Sequence, residues 1–191
     1  MSYATIRTKL RNILNDNSIS GKDIFTFDSS KVFSLSEDRV IAISDVLKNS
    51  VSVSESGNWS YSASTNKLTF TSGYSLSVGD IIELDYSYYK DFSDTELTGY
   101  INGALSWITV SNYETFDVND DDINPEPTTA EENLIAIIAS IIIRPDNKNY
   151  KMQDLEVRVP NNSLPTEEKI RRVIASFKRN THGVFSVIIT Q

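Results

Sequence analysis

The chain contains no cysteine. That excludes disulfides, thiolate catalysis, cysteine zinc sites and iron–sulfur clusters. A small secreted domain stapled by disulfides is therefore not encoded, and an intracellular or virion setting fits the residues better. Histidine occurs once, as His182 beside Gly183. A lone imidazole at a helix exit suits a cap or a surface position. No G-x-S-x-G, G-x-G-x-x-G, P-loop or H-E-x-x-H pattern is present. Long apolar runs are missing too. The most apolar stretch, Leu134 to Ile143, is broken by Ser140 and falls short of the roughly 20 residues a membrane span needs. No signal peptide is expected, because Met1-Ser2-Tyr3 opens directly into an amphipathic pattern.

Positive charge is in the minority. There are 18 basic and 26 acidic residues, a formal net charge of −8. Such a surface repels nucleic acid unless its basic residues cluster. Two clusters exist: Arg7, Lys9 and Arg11 near the start, and Lys169, Arg171, Arg172, Lys178 and Arg179 near the end. Solvated helix faces and complements to helix C-terminal dipoles explain both. A phosphate or protein contact is the alternative.

The chain has 191 residues, enough for one domain or two small ones and for a core that needs no staples. Tyr3, Ile6, Leu10, Ile13 and Leu14 fall on one face of a helix running from Ser2 to about Asn15. Ser2 suits the N-cap. Asn15 to Ser18 and Ser20-Gly21 end that helix. From about Lys31 the period drops toward two. Strands are expected at Val32–Leu35, Val40–Ile43, Val51–Val53, Trp59–Ser62, Leu68–Phe70 and Ile81–Tyr89, with Gly79-Asp80 as the turn before the last.

At Asp91 the period returns to 3.6. Ser93-Asp94-Thr95-Glu96 is a capping box, followed by Leu97, Ile101, Ala104, Leu105 and Ile108 on one face. Gly99 and Gly103 weaken that helix by roughly 1 kcal/mol each relative to Ala, and close helix packing would give them a purpose. Asn112 to Thr128 reads as an acidic loop. Thr129-Ala130-Glu131-Glu132 reads as a second capping box, opening a central helix over Ala130 to about Ile143 that Pro145 stops. Leu155–Val159 alternates like a short strand. Pro165 stands in the first turn of a last helix, with Ile170, Val173, Ile174 and Phe177 inward. Val184 to Thr190 reads as an apolar strand. The expected fold class is α+β: a helical unit of about four helices over 1–30 and 91–191, with a small antiparallel β module inserted over 31–90.

Chemistry-bearing patterns are sparse. Asp117, Asn119 and Asp121 have the spacing of a calcium loop, but Asp122 stands where that loop needs Gly and Thr128 where it needs Glu. Glu83 and Asp85 share the polar face of a half-exposed strand. No catalytic residue, metal ligand or cofactor is expected. Trp59, Tyr61, Tyr86, Tyr88 and Tyr89 load the β module with aromatics. Sheet packing accounts for them, and a contact face built on Trp59, Tyr61, Tyr86 and Tyr88 is the sharper alternative. Val184, Phe185, Val187, Ile188 and Ile189 need a sheet edge, their own or a neighbour's, to hold an apolar tail in place.

The stretch F-S-D-T-E-L-T-G-Y-I-N-G-A-L-S-W-I around Ser93 resembles the opening helix of head–tail connector (adaptor) proteins of tailed bacteriophages. The order that follows is also similar to that group: a loop, the apolar helix Leu134 to Ile143, a basic amphipathic helix and an apolar tail. So is a β module reading F-S-L, V-I-A-I and G-D-I-I-E-L-D-Y placed before the helices. The resemblance implies a structural virion protein without enzymatic activity, assembled in the bacterial cytoplasm and located in the neck. It implies a homo-oligomeric ring, typically a dodecamer, joining the portal protein to a further neck or tail protein. DNA would pass through its channel without specific binding, and no membrane is involved. The tail residues Val184, Phe185, Val187, Ile188 and Ile189 would then dock on the portal or a neighbouring subunit. The other readings are a tail-completion or terminator protein and a carbohydrate-binding adaptor.

Overall fold

The computed structural model describes residues 2–119, 122–147, 149–151, 155–158, 164–179 and 185–188. Their elements in chain order are α1 (Ser2–Leu14), β1 (Ser18–Thr26), β2 (Val32–Ser34), β3 (Val40–Lys48), β4 (Val51–Ser52), β5 (Trp59–Ser62), β6 (Lys67–Phe70) and β7 (Ile81–Tyr89), then α2 (Asp94–Val110), β8 (Asp117–Asn119), β9 (Asp122–Asn124), α3 (Thr129–Ile143), β10 (Asn149–Lys151), β11 (Leu155–Arg158), α4 (Thr166–Arg179) and β12 (Phe185–Ile188). The fold is α+β, with largely antiparallel sheets. It forms two compact units: residues 1–16 with 93–191, and residues 17–92. No helix among the described residues is long and apolar enough to cross a membrane.

The helical unit is built around α3. Every residue from Leu134 to Ile141 is buried, and α1, α2 and α4 all pack on this helix. An all-round apolar helix must sit centrally, because any face turned to water would expose aliphatic surface worth about 1.5–3 kcal/mol per side chain. The neighbours each contribute one stripe: Tyr3, Ile6, Leu10 and Leu14 from α1, Leu97, Ile101, Ala104, Leu105 and Ile108 from α2, and Ile170, Val173 and Ile174 from α4. Ser93 caps α2 with the reciprocal Glu96 bond expected of it. The cap of α3 is Thr128 with Glu131, one residue earlier than the Thr129–Glu132 pairing. Both pairs satisfy the same spacing, and the helix takes the one that lets its first turn begin at Thr129. Neither glycine of α2 serves close packing. A Cβ at Gly103 would lie at an ordinary 3.6 Å from Ile142 Cδ1, and one at Gly99 would meet open space.

Polar bonds tie α1 to its neighbours. Tyr3 donates to Asn102, Lys9 pairs with Glu132 at 2.7 Å, and Arg144 donates to the Leu14 carbonyl at 2.8 Å. The strongest constraint is at Arg11. Its guanidinium binds the Asp16 carboxylate on one side and Asp94 at 2.8 Å on the other. Arg11 and Asp16 are both buried. Asp16 is the last residue of the helical unit before the β unit and Asp94 opens the helix after it. One side chain thus holds both crossing segments.

The β unit contains two sheets, ordered β1-β7-β3-β4 and β2-β6-β5. They share one core, with Phe33, Leu68 and Phe70 from the second sheet meeting Val46, Ile82, Leu84 and Tyr86 from the first. The unit starts at residue 17, earlier than 31, because Ser18–Thr26 is a strand and not a helix exit. Ser18 lies opposite Tyr89 in register, so the unit's entrance and exit strands run side by side. Gly21 sits opposite Tyr86, and a Cβ there would come within 2.5 Å of the Tyr86 ring. Only glycine leaves room for that ring. On the outer face Lys22 pairs with Glu83 at 2.7 Å and reaches Asp85 at 3.5 Å. Asn49 and Ser50 both take positive φ, 51° and 67°, as a two-residue hairpin between β3 and β4 requires. Asp80 fixes the turn into β7. The Ser77 amide donates to it at 2.7 Å, Asn49 at 2.8 Å, and Lys48 lies at 3.0 Å. These bonds, the Ser77 amide first, hold its pKa at about 2, below the ordinary 3.8.

Two outcomes follow. Arg11→Met takes the guanidinium away from the buried Asp16 carboxylate and should lower unfolding free energy by about 3 kcal/mol. Replacing Asp16 by Leu as well should recover part of the loss, read by urea denaturation. Asp80 is ionised more easily folded than unfolded, so its contribution is present above the unfolded value and fades as pH falls toward 2. Asp80→Asn should therefore lower the melting temperature at neutral pH, with the gap to the parent closing as the pH drops through that window.

Candidate assembly surfaces

The aromatic residues singled out in the β module do not form an open contact face. Tyr86 is a core residue at 2 % exposure, and its hydroxyl lies 3.0 Å from that of Ser36 and 3.2 Å from Asp23. The alternation of β7 turns it inward with Ile82 and Leu84. Tyr88 is half-buried with its ring 6.0 Å from that of Tyr86. Trp59 is half-buried against the same core and donates its Nε1 proton to the Val53 carbonyl at 2.9 Å. Tyr61 packs there too and donates to Asn66 at 2.9 Å, and burial pushes its pKa up. The Tyr74 ring stacks on Phe70 at 5.1 Å, with the Lys48 ammonium 5.9 Å from its centroid. Every aromatic residue of the β unit is buried or half-buried. A sugar-binding platform needs a flat ring with one face open to solvent.

The tail residues divide. Val184 and Ile189, like His182, lie outside the described residues. Phe185, Val187 and Ile188 belong to β12, which pairs in parallel with β11: Leu155 faces Phe185, Val157 faces Val187 and Arg158 faces Ile188. This segment therefore has a sheet edge in its own chain. It stands at one end of the order β10-β11-β12. The acidic loop is also more ordered than its composition indicated. Asp117 and Asn119 lie in β8, paired with β9 from Asp117 opposite Asn124 to Asn119 opposite Asp122. Asp121, the third residue of the calcium-like spacing, lies outside the described residues. Among the described residues no group of three histidines or carboxylates could hold a metal ion.

Titratable groups with shifted pKa values serve structure. Tyr150 is fully buried, its hydroxyl donates to the Arg144 carbonyl, and burial, with Asp146 nearby, pushes it up to about 12. The bonds at Asp80 hold a turn.

Among the described residues, two of the places where apolar side chains stand exposed bear on binding. The first is on the β unit. Strand β1 ends its sheet, and Ile24 on it is 64 % exposed. Ile24 lies opposite Glu83 and Thr26 opposite Ile81, which makes Ile24 and the exposed Ile81 diagonal neighbours on one face. The second is a cleft of about 290 Å³ between α2 and α4, lined by Trp107, Val110, Arg171, Ile174 and Lys178 among others. Val110 is 72 % exposed there. Lys178 donates to the Ser111 and Asn112 carbonyls at 2.7 and 3.2 Å, satisfying carbonyls that the C-terminus of α2 leaves open. Arg171 is exposed and makes no hydrogen bond or ion pair with any described residue. The sequence signals for this cleft were the basic cluster around Arg171 and a valine lying off the buried stripe of α2. Only the pairing of the two helices puts them in one place.

The chain matches no known family model and no curated protein sequence. Its function is therefore argued from its own surfaces.

If Trp59 is a packing residue, Trp59→Ala should lower the stability of the β unit by about 2 kcal/mol, below the 3–5 kcal/mol of a fully buried site. Urea denaturation of parent and variant, followed by circular dichroism and by protease cleavage within residues 17–92, measures it.

Proposed function

We propose that this chain is a virion assembly protein, one subunit of a ring-shaped neck connector between portal and tail. Its work is binding, with no catalytic step. The observation that carries this reading is the uncovered edge of the β unit. A nine-residue strand with no strand among the described residues on its outer side offers a row of amide and carbonyl groups beside exposed isoleucines. Soluble chains blunt or cover such edges unless a partner takes them. Support also comes from the resemblance around Ser93 and from the order of helices that follows. The net charge of −8 suits a channel wall past which DNA slides without sticking, since like charges repel at short range. The sugar-binding reading draws no support from the aromatic residues, whose rings are engaged in packing. A tail-completion or terminator protein would use the same surfaces against a different partner.

Mixing the full chain with the portal protein of the same virus and imaging by negative-stain electron microscopy tests the reading. The expected result is a ring seated on the portal, lost in the variant Ile24→Lys. A parent chain that stays dispersed and never associates with the portal contradicts it.

A further inference from the structure

Among its described strands the β unit has one long, flat edge. β2 and β5, which end the second sheet, have three and four residues. β3 is bulged at two places, and its outer side is covered at one end by β4. β1 keeps an unbroken register with β7 over all nine residues. The bonds around β7 fix which way the peptide groups of β1 point. The Ile81 carbonyl accepts from the Asn49 amide, and the Tyr89 amide donates to the Arg39 carbonyl. The odd residues of β7 therefore bond toward β3 and the even ones toward β1. Their partners in β1 are Ile19, Gly21, Asp23 and Phe25. Phe27 keeps that phase, donating to the Asp80 carbonyl at 2.8 Å. In an antiparallel ladder both peptide groups of one residue point the same way. The amides and carbonyls of Ser20, Lys22, Ile24 and Thr26 thus face outward, beyond the sheet. A lysine on an edge commonly guards it, but Lys22 is drawn back onto Glu83 and Asp85.

We propose that β1 pairs antiparallel with β1 of a second copy about a two-fold axis at Ile24. Charge and apolar area select this alignment. An axis at Lys22 sets two ammonium groups directly opposite each other, and an axis at Asp23 sets two carboxylates so; both are destabilising. An axis at Gly21 leaves each Ile24 beside a serine. With the axis at Ile24 the two exposed Ile24 side chains meet, and each has the exposed Ile81 of its own chain as a diagonal neighbour. Lys22 then lies opposite the copy's Thr26 and Asp23 opposite its Phe25. The outward peptide groups of Lys22, Ile24 and Thr26 pair across the axis. The contact is isologous and closes at two copies, joining two four-stranded sheets into one. On the ring reading the portal takes this same edge, so the dimer is the form the chain holds before assembly. It covers a strand that would otherwise invite aggregation.

Sedimentation of the full chain tests the pairing, and the parent should run as a dimer. Proline at position 22 removes an amide that faces outward, a change an edge strand tolerates. Lys22→Pro should therefore run as a monomer with unchanged circular dichroism, and Lys22→Ala, which keeps the amide, as a dimer. Ser20→Pro should leave the dimer intact, because its partner position falls past the end of the copy's β1. Should Lys22→Pro lose structure, Ile24→Lys carries the test: it sets two ammonium groups on the axis and should be monomeric. The chain has no cysteine, so Ile24→Cys supplies a single thiol per chain. Residues opposed in a hydrogen-bonded pair lie about 5.5 Å apart between α-carbons, within disulfide reach. Mild oxidation should link that variant into dimers and nothing larger. A monomeric parent, a Lys22→Pro chain that stays dimeric, or an Ile24→Cys chain that oxidation leaves unlinked overturns the pairing, and each leaves the ring reading to stand or fall on the portal. A dimer that persists unchanged beside the portal upholds the pairing and overturns the ring reading.

Discussion

A single arginine sets the terms on which this chain folds as two units. Arg11 holds Asp16 on one side and Asp94 on the other, and residues 17–92 lie between them in sequence. Bringing the ends of so long a segment together costs conformational entropy that grows with the logarithm of its length. The β unit lowers that cost by itself, because Ser18 and Tyr89 are already paired. The guanidinium then fixes the register between the end of α1 and the start of α2. With that register set, the stripes of α1 and α2 both meet α3. A buried charge pair adds little net stability over an apolar pair of similar size. What it supplies is a unique way for the two segments to lie together.

The rest of the molecule divides its labour accordingly. Aromatic side chains, which could have made a binding face, are drawn into packing, and Gly21 exists where it does so that Tyr86 can lie flat beneath β1. The surface left for partners is aliphatic and charged: Ile24 and Ile81 at a strand edge, Val110 and Arg171 at a helix cleft. Surfaces of this kind bind other proteins through area and register.

Much of the fold was legible in the residues. The Ser93 capping box, the all-round apolarity of Leu134 to Ile141 and the alternation of Ile81 to Tyr89 each leave one physical option. Strand β1 was hidden because Ser-Ile-Ser-Gly-Lys-Asp mixes poor strand formers, which an edge strand tolerates when a neighbour such as β7 supplies the pairing. Its loss moved the apparent start of the β unit to residue 31. Hairpin β8–β9 was hidden by brevity, since three residues per strand carry no readable period. Tyr86 was placed in a contact set because aromatic content does not say which side of a strand faces the core; its parity with Ile82 and Leu84 does. The cleft beside Val110 showed in the residues only as separate parts, a basic cluster and an off-stripe valine, because α2 and α4 are distant in sequence and only tertiary packing joins them.

Hydrogen exchange of the full chain, followed peptide by peptide, tests the central claim about Arg11 most directly. If the arginine joins the two crossing segments, amides of α1 and α2 open together with one free energy, distinct from that of the β unit. In Arg11→Met both helices should lose protection together while β3 and β7 keep theirs. Amides of α1 that exchange independently of α2 in the parent, or protection of both helices unchanged in the variant, would contradict the account.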